Sequence, residues 1–190
     1  MNATDTSGFQ KLIQMLPKEL SVLDVGAGGL EGENTTEFLL ERFSDYTGIC
    51  IKPDRIELYN AQRKERGQKE ANIIVGDFYT YQFGQQFDVL VLDLNIERNL
   101  EDWEDRFERV KKHVKHSGYL ISYYMLTDEY TDVESVHEQI RSTWIDICGV
   151  NDMNVRVLAN GMRAIPGFEL MTIEQEERRP EIAWVLLRYE

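Results

Sequence analysis

Cysteine is scarce in this chain. Cys50 and Cys148 are the only two, far apart in the sequence, and the three histidines form no cluster with them at metal-ligand spacing. That excludes a disulfide framework and gives no reason to expect a metal; a reducing cytoplasm fits such usage. Positive charge is short as well, with 21 Lys and Arg against 34 Asp and Glu, a net charge of −13 and a sequence pI near 4.7. A chain without a basic surplus has little with which to release counterions from a phosphate backbone, so nucleic acid is not the expected partner. There is no apolar run of membrane length and no charged-then-apolar leader, so neither insertion nor export is expected.

What remains is an ordinary globular composition, 42% hydrophobic and 29% charged over 190 residues, enough for one domain with a real core. Its organising stretch is VLDVGAGGLEG, Val22 to Gly32. An apolar run broken by one carboxylate, Asp24, and leading straight into glycines predicts a buried strand that ends in a tight turn. Without a Cβ, Gly26, Gly28 and Gly29 allow positive φ and close approach of a ligand to the main chain. A helix follows, signalled by Asn34 as N-cap with Glu37 three residues on, ahead of Phe38, Leu39 and Phe43. The dinucleotide fingerprint Gly-x-Gly-x-x-Gly fails here, because counting from Gly26 puts Glu31 at the third glycine.

Asp24, two residues before Gly26, makes the stretch resemble motif I of the S-adenosylmethionine-dependent methyltransferases with the Rossmann-like (class I) fold, although Leu30 stands where a further glycine is common. The resemblance implies that Asp24, Gly26, Ala27, Gly28 and Gly29 hold the amino-acid end of the cofactor. In that family the second strand ends in an acid that binds the ribose hydroxyls; here Tyr46 to Ile51 (YTGICI) is the second strand and Cys50 occupies that place. A thiol is a poor acceptor for two hydroxyls, and the loss of a charge-assisted bond is worth roughly 1.5–3 kcal/mol. Ile51 is then expected near ribose and adenine, and Asp54 is either a substitute partner or simply a favourable charge at the start of a helix that Gly67 ends. Asp77-Phe78, after the strand Ala71 to Gly76, resembles the turn that brackets adenine, with the carboxylate on the exocyclic amine and the ring on the base face; the alternative is an ordinary strand-ending turn.

Phe87 to Asp93 (FDVLVLD) reads as a central parallel strand buried on both faces, with Asp93 at its carboxyl end facing the methyl donor or acceptor. The next residues, Leu94-Asn95-Ile96, match neither the Pro-Pro-Tyr motif of nucleobase amino-methylating enzymes nor the Asp-Asn pair of metal-dependent ones. Asn99 to Ser117 predicts a helix with Trp103, Phe107, Val110 and Val114 on one face and His113 and His116 solvated, stopped by Gly118. Gly118 to Tyr124 predicts the fifth strand, with Tyr124 as a candidate base. Thr131 to Ile147 carries helical periodicity with His137 on part of its apolar face, either as a base or as a packing histidine, and a short helix is expected from Asp152 to Asn160 before Gly161. Phe168 to Ile173 and Ile182 to Tyr189 predict a closing hairpin, which suits the methyltransferase fold and not a dinucleotide-binding domain.

The expectation is one α/β unit over residues 1–190, with an N-terminal helical segment 1–19 and a helical insertion 126–165 over the substrate site, and the resemblance implies a seven-stranded sheet ordered 3-2-1-4-5-7-6 with helices on both faces. Its implied cofactor is S-adenosylmethionine, leaving as S-adenosylhomocysteine, and its acceptor a small molecule or a protein. The alternatives are a related transferase using a derivative of that cofactor, a non-catalytic binding protein, and a nicotinamide-dependent oxidoreductase, which Asp24, the glycine spacing and the hairpin disfavour.

Overall fold

Strands that are apolar on both faces must be covered on both faces, and the sheet is built that way. The computed structural model describes residues 6–29, 35–92, 103–126 and 154–190. In chain order the elements are α1 (Ser7–Gln14), β1 (Ser21–Val25), α2 (Thr35–Arg42), β2 (Asp45–Cys50), α3 (Pro53–Glu65), β3 (Ile73–Val75), β4 (Phe87–Leu92), α4 (Trp103–His113), β5 (Val114–Met125), α5 (Val155–Arg163), β6 (Phe168–Gln175) and β7 (Ile182–Tyr189). The seven strands form one sheet in the order β3-β2-β1-β4-β5-β7-β6, as expected from the sequence. β1 pairs in parallel with both β2 and β4, whereas β7 enters antiparallel between β5 and β6. Among the described residues no helix is long and apolar enough to cross a membrane.

Two cores result. On one face Leu23, Val25, Leu90, Leu92 and Leu120 pack with Phe107 and Val110 of α4 and Leu158 and Met162 of α5. On the other, Val22, Val89, Val91 and Ile121 pack with Phe9, Leu12 and Ile13 of α1, Leu39 of α2 and Tyr59 of α3. Burying each such side chain contributes roughly 1.5–3 kcal/mol, so either face alone is a substantial core. α1 is also anchored at its start: Glu176, 1% exposed, accepts from the Gly8 amide at 2.8 Å, the Ser7 hydroxyl at 3.1 Å and the Trp184 indole at 2.5 Å. A carboxylate at a helix N-terminus meets the positive end of its dipole, and so ties the first helix to the closing hairpin.

Three boundaries differ from expectation. α4 ends at His113, and Val114 already pairs with Phe87 in the sheet. Gly118, expected to stop the helix, lies instead in an irregularity of β5, where a Cβ would come within 2.8 Å of the Asp88 carbonyl oxygen, next to Ser117 at φ 66°. α5 runs through Gly161 to Arg163, because Asn154 caps it by accepting from the Arg156 and Val157 amides and the buried stripe Leu158, Gly161, Met162 continues past the glycine. The described part of the 126–165 segment, residue 126 and residues 154–165, thus includes a core helix; the expected helix Thr131 to Ile147 and His137 lie outside the described residues.

His113 also departs from the solvated position expected of it. It is 6% exposed, with its ring 5.4 Å from that of Phe78 and 5.0 Å from that of Phe83, and its Nε2 has no hydrogen-bond partner among the described residues. Burial, with the charges of Arg109 and Lys112 adding to it, pushes its pKa down to about 4. The unfolded chain takes up this proton near pH 6.5 and the folded chain does not, so the stability contributed above pH 6.5 is lost as pH falls toward 4, on the order of 3 kcal/mol in all. Urea unfolding at pH 7, 5 and 4 checks this: His113→Phe is expected to flatten the decline between pH 6.5 and 4, and an unchanged decline would contradict it.

Candidate functional site

The site is assembled at the carboxyl ends of β1, β2 and β3. Parallel pairing sets Asp24 opposite Gly48 and Val25 opposite Ile49, while Cys50 lies opposite Val75. The loop after β1 turns on two glycines at positive φ, Gly26 at 87° and Gly28 at 85°, a region that side chains rarely adopt. The amides of Gly26 and Ala27 both donate to the Ile49 carbonyl, at 2.8 and 3.2 Å. Gly28 is held from both sides: its amide donates to Thr36 Oγ1 at 3.1 Å, and its carbonyl accepts from Arg55 Nε at 2.8 Å.

Asp24 is 4% exposed, and its Oδ2 accepts from the Thr36 hydroxyl and from the Tyr46 phenol, each at 2.8 Å. A buried carboxylate is costly unless it is hydrogen-bonded, and here the donors come from α2 and β2. Burial first, then the Asp24 charge, holds the Tyr46 phenol well above its ordinary pKa, so it stays a proton donor. Tyr46 reaches Asp24 because nothing stands between them: a Cβ on Gly48 would fall 2.8 Å from the phenol oxygen and 2.6 Å from the Ala27 Cβ.

These contacts limit which part of the loop faces outward. Ala27 and Gly28 are buried and the amides of Gly26, Ala27 and Gly28 are committed within the protein, so the loop's partly exposed residues are Gly26 and Gly29. The two oxygens of Glu37 take the Tyr59 phenol at 2.6 Å and Arg63 Nη1 at 2.5 Å, which bolts α2 to α3. Asn34, the expected N-cap, lies outside the described residues. Tyr46, Thr36 and Gly48 were not picked out from sequence; the signal was an aromatic two residues before the glycine that pairs with Asp24, legible only once the strand register is known.

Cys50, the last residue of β2, is 6% exposed, on the same face as Tyr46 and Gly48. Ile51 beyond it is 61% exposed and Val75 at the end of β3 57% exposed, an apolar pair at the rim. Asp77 is exposed and its Oδ1 accepts from the Tyr79 amide at 2.9 Å, as a turn-starting aspartate does. Phe78 is 2% exposed, its ring packed on Phe83 and His113 and its carbonyl held by Arg109 at 2.8 Å; the ring is committed to the core and is not available to cover a base. Tyr124 is 2% exposed in the core shared with α4 and α5, and its hydroxyl accepts from Ser122 at 3.3 Å, which removes it as an accessible base. Asp93 lies outside the described residues. Among the described residues no group of His, Cys, Asp and Glu is arranged to hold a metal ion.

The contacts of Gly48 generate a stability prediction. Gly48→Ala forces a methyl against Ala27 and the Tyr46 phenol, and overpacking of this kind costs roughly 1–3 kcal/mol. Gly84, with nothing within 4 Å of a built Cβ, is the control. Urea unfolding should show the loss for Gly48→Ala and none for Gly84→Ala; equal stability of the two variants would contradict the tight crossing.

Solved structures share this architecture over nearly the full length of the chain. The glycopeptide N-methyltransferase MtfA, complexed with S-adenosyl-L-homocysteine, superposes with a TM-score of 0.66 at 12% identity, covering 98% of this chain and 91% of that one. The N-methyltransferase NodS from Bradyrhizobium japonicum WM9, also complexed with S-adenosyl-L-homocysteine, gives 0.60 at 16% identity over 99% and 89%. The [4+2]-cyclase SpnF gives 0.62 at 14% identity over 99% and 84%, so at these identities the likeness shows the fold alone. No curated protein sequence matches the chain. A family model described as a methyltransferase domain does match, over residues 23–122, from within β1 to within β5. Because that match spans more than half of the chain and includes the Asp24 loop, the chain belongs to the methyltransferase domain family, whose methyl donor is S-adenosylmethionine.

Proposed function

We propose that the protein transfers a methyl group from S-adenosylmethionine to a small-molecule or protein acceptor. The observation that carries this reading is the pinned glycine loop at the end of β1, with a buried acid beneath it and exposed apolar side chains on the two neighbouring strand ends. The residues present fit the cofactor in most respects. Gly26 and Gly29 offer main chain without a Cβ to its amino-acid end, Ile51 and Val75 give an apolar rim for adenine, and the exposed Asp77 stands beside them as an acceptor for an exocyclic amine. Asp24 serves from below, holding the loop through Thr36. The misfit is Cys50, a buried thiol where a ribose-binding acid is usual.

The bound cofactor supplies a methyl group already activated on a sulfonium. The chain's own task is therefore orientation, which is worth several kcal/mol without any covalent intermediate. Leu92, the residue before Asp93, pairs with Val25, the residue before Gly26, so the chain leaves β4 beside the glycine loop. We assign Asp93 to this junction and leave His137 as the candidate proton acceptor, with the acceptor molecule met by the 126–165 segment outside α5. A second reading, a binding protein without turnover, is favoured by Cys50 alone.

Thermal unfolding with S-adenosylmethionine, S-adenosylhomocysteine and NAD tests the proposal. At 100 times its dissociation constant a ligand adds about 2.7 kcal/mol, which raises the midpoint of a chain this size by several degrees. A shift with both sulfur compounds and none with NAD is expected, followed by transfer of labelled methyl to an acceptor; binding without transfer to any acceptor would favour the second reading, and no shift at millimolar ligand would overturn both. Ile51→Ser is expected to weaken S-adenosylhomocysteine about fivefold, the equivalent of roughly 1 kcal/mol of lost apolar contact, without changing the midpoint of the free protein. Calorimetric titration checks this, and unchanged affinity would remove Ile51 from the site.

A further inference from the structure

We propose that Tyr46 is a positioning residue for the glycine loop: its phenol, acting through Asp24 and Thr36, holds Gly28 in the arrangement that binds the cofactor. This deepens the proposed function and rests on it for the identity of the ligand. The argument is one of direction along a short relay. Asp24 Oδ2 accepts from both hydroxyls, so the Thr36 proton points at Asp24 and the Thr36 oxygen presents a lone pair to the Gly28 amide. The Arg55 bond to the Gly28 carbonyl closes the other side, so the φ of 85° at Gly28 is held between α2 and α3.

Tyr46 is the member of this relay that comes from a different strand, and it is 7% exposed. Its ring crosses over Gly48, the residue paired with Asp24, at a place where any larger side chain would block it. Without the phenol, the carboxylate loses the donor that holds it from the β2 side, and the Thr36 contact to Gly28 loosens with it. The loop surface at Gly26 and Gly29 is then no longer presented in one conformation, and a ligand must order it at the cost of affinity.

The test compares Tyr46→Phe with the natural protein by amide hydrogen exchange without ligand and by calorimetric titration with S-adenosylhomocysteine. Expected are exchange at the Gly28 amide at least fivefold faster than any change at the core amide of Leu90, and affinity for S-adenosylhomocysteine reduced about 5- to 20-fold. Thr36→Val should reproduce both effects, while Thr36→Ser, which keeps the hydroxyl, should restore them; this pair checks the link from Thr36 to Gly28, and Tyr46→Phe, which keeps the ring, checks the link from Tyr46. Exchange at Gly28 that rises only in step with Leu90 marks a merely structural role and overturns the proposal, as does unchanged affinity with faster Gly28 exchange. If the natural protein binds no S-adenosylhomocysteine, the functional reading fails on its own, and the exchange comparison still supports or overturns the hold of Tyr46 on the loop.

Discussion

A carboxylate buried inside a strand is the constraint on which the rest of this structure depends. Asp24 sits among apolar neighbours in β1, and without donors it would cost several kcal/mol to keep there. Its two hydroxyl donors come from α2 and β2, so the acid draws together the elements on either side of the glycine loop. The loop inherits its shape from that arrangement: Thr36 turns from Asp24 to the Gly28 amide, Arg55 of α3 takes the Gly28 carbonyl, and Glu37 bolts α2 to α3 through Tyr59 and Arg63. A ligand that binds here meets a surface already in place, which is how a modest set of contacts yields useful affinity.

The same economy appears at the far end of the sheet. Glu176 near the end of β6 gathers the first turn of α1 and the Trp184 indole, so the helix that precedes β1 is docked against the hairpin that closes the chain. Gly8 makes the contact possible, since a Cβ there would come within 2.9 Å of the Gln175 carbonyl oxygen. In both places a buried acid with neutral donors joins segments distant in sequence, and a glycine lets them approach. The two devices sit on the same face of the sheet, around the core that holds α1, α2 and α3.

The strands themselves were legible in the sequence because they rest on local patterns, and their order followed from the resemblance that the Asp24 loop carries. An apolar run ending in glycines marked β1 and its loop, two strand-like runs at the end marked a hairpin, and the resemblance implied that its second strand, β7, enters between β5 and β6. What was not legible depends on register or on cover from another element. Tyr46 and Gly48 gain meaning only from lying across from Asp24; Tyr124 and Phe78 looked available because their cover comes from other elements, α4 and α5 over the one and His113 at the end of α4 helping to bury the other. His113 follows a run of lysines and read as solvated, yet it closes the core beneath Phe78 and Phe83. The end of α4 was misplaced because Gly118 marks a close approach to the Asp88 carbonyl within β5 and not a helix stop.

The central claim is that the glycine loop and the neighbouring strand ends form a site for S-adenosylmethionine and its product. The most direct measurement is an amide NMR titration of the labelled protein with S-adenosylhomocysteine, with NAD as the comparison. The account predicts saturable shifts concentrated at Gly26, Gly28, Gly29, Ile51 and Asp77, with NAD producing none of them. Saturable shifts confined to other parts of the fold, or no shifts at millimolar ligand, would contradict it.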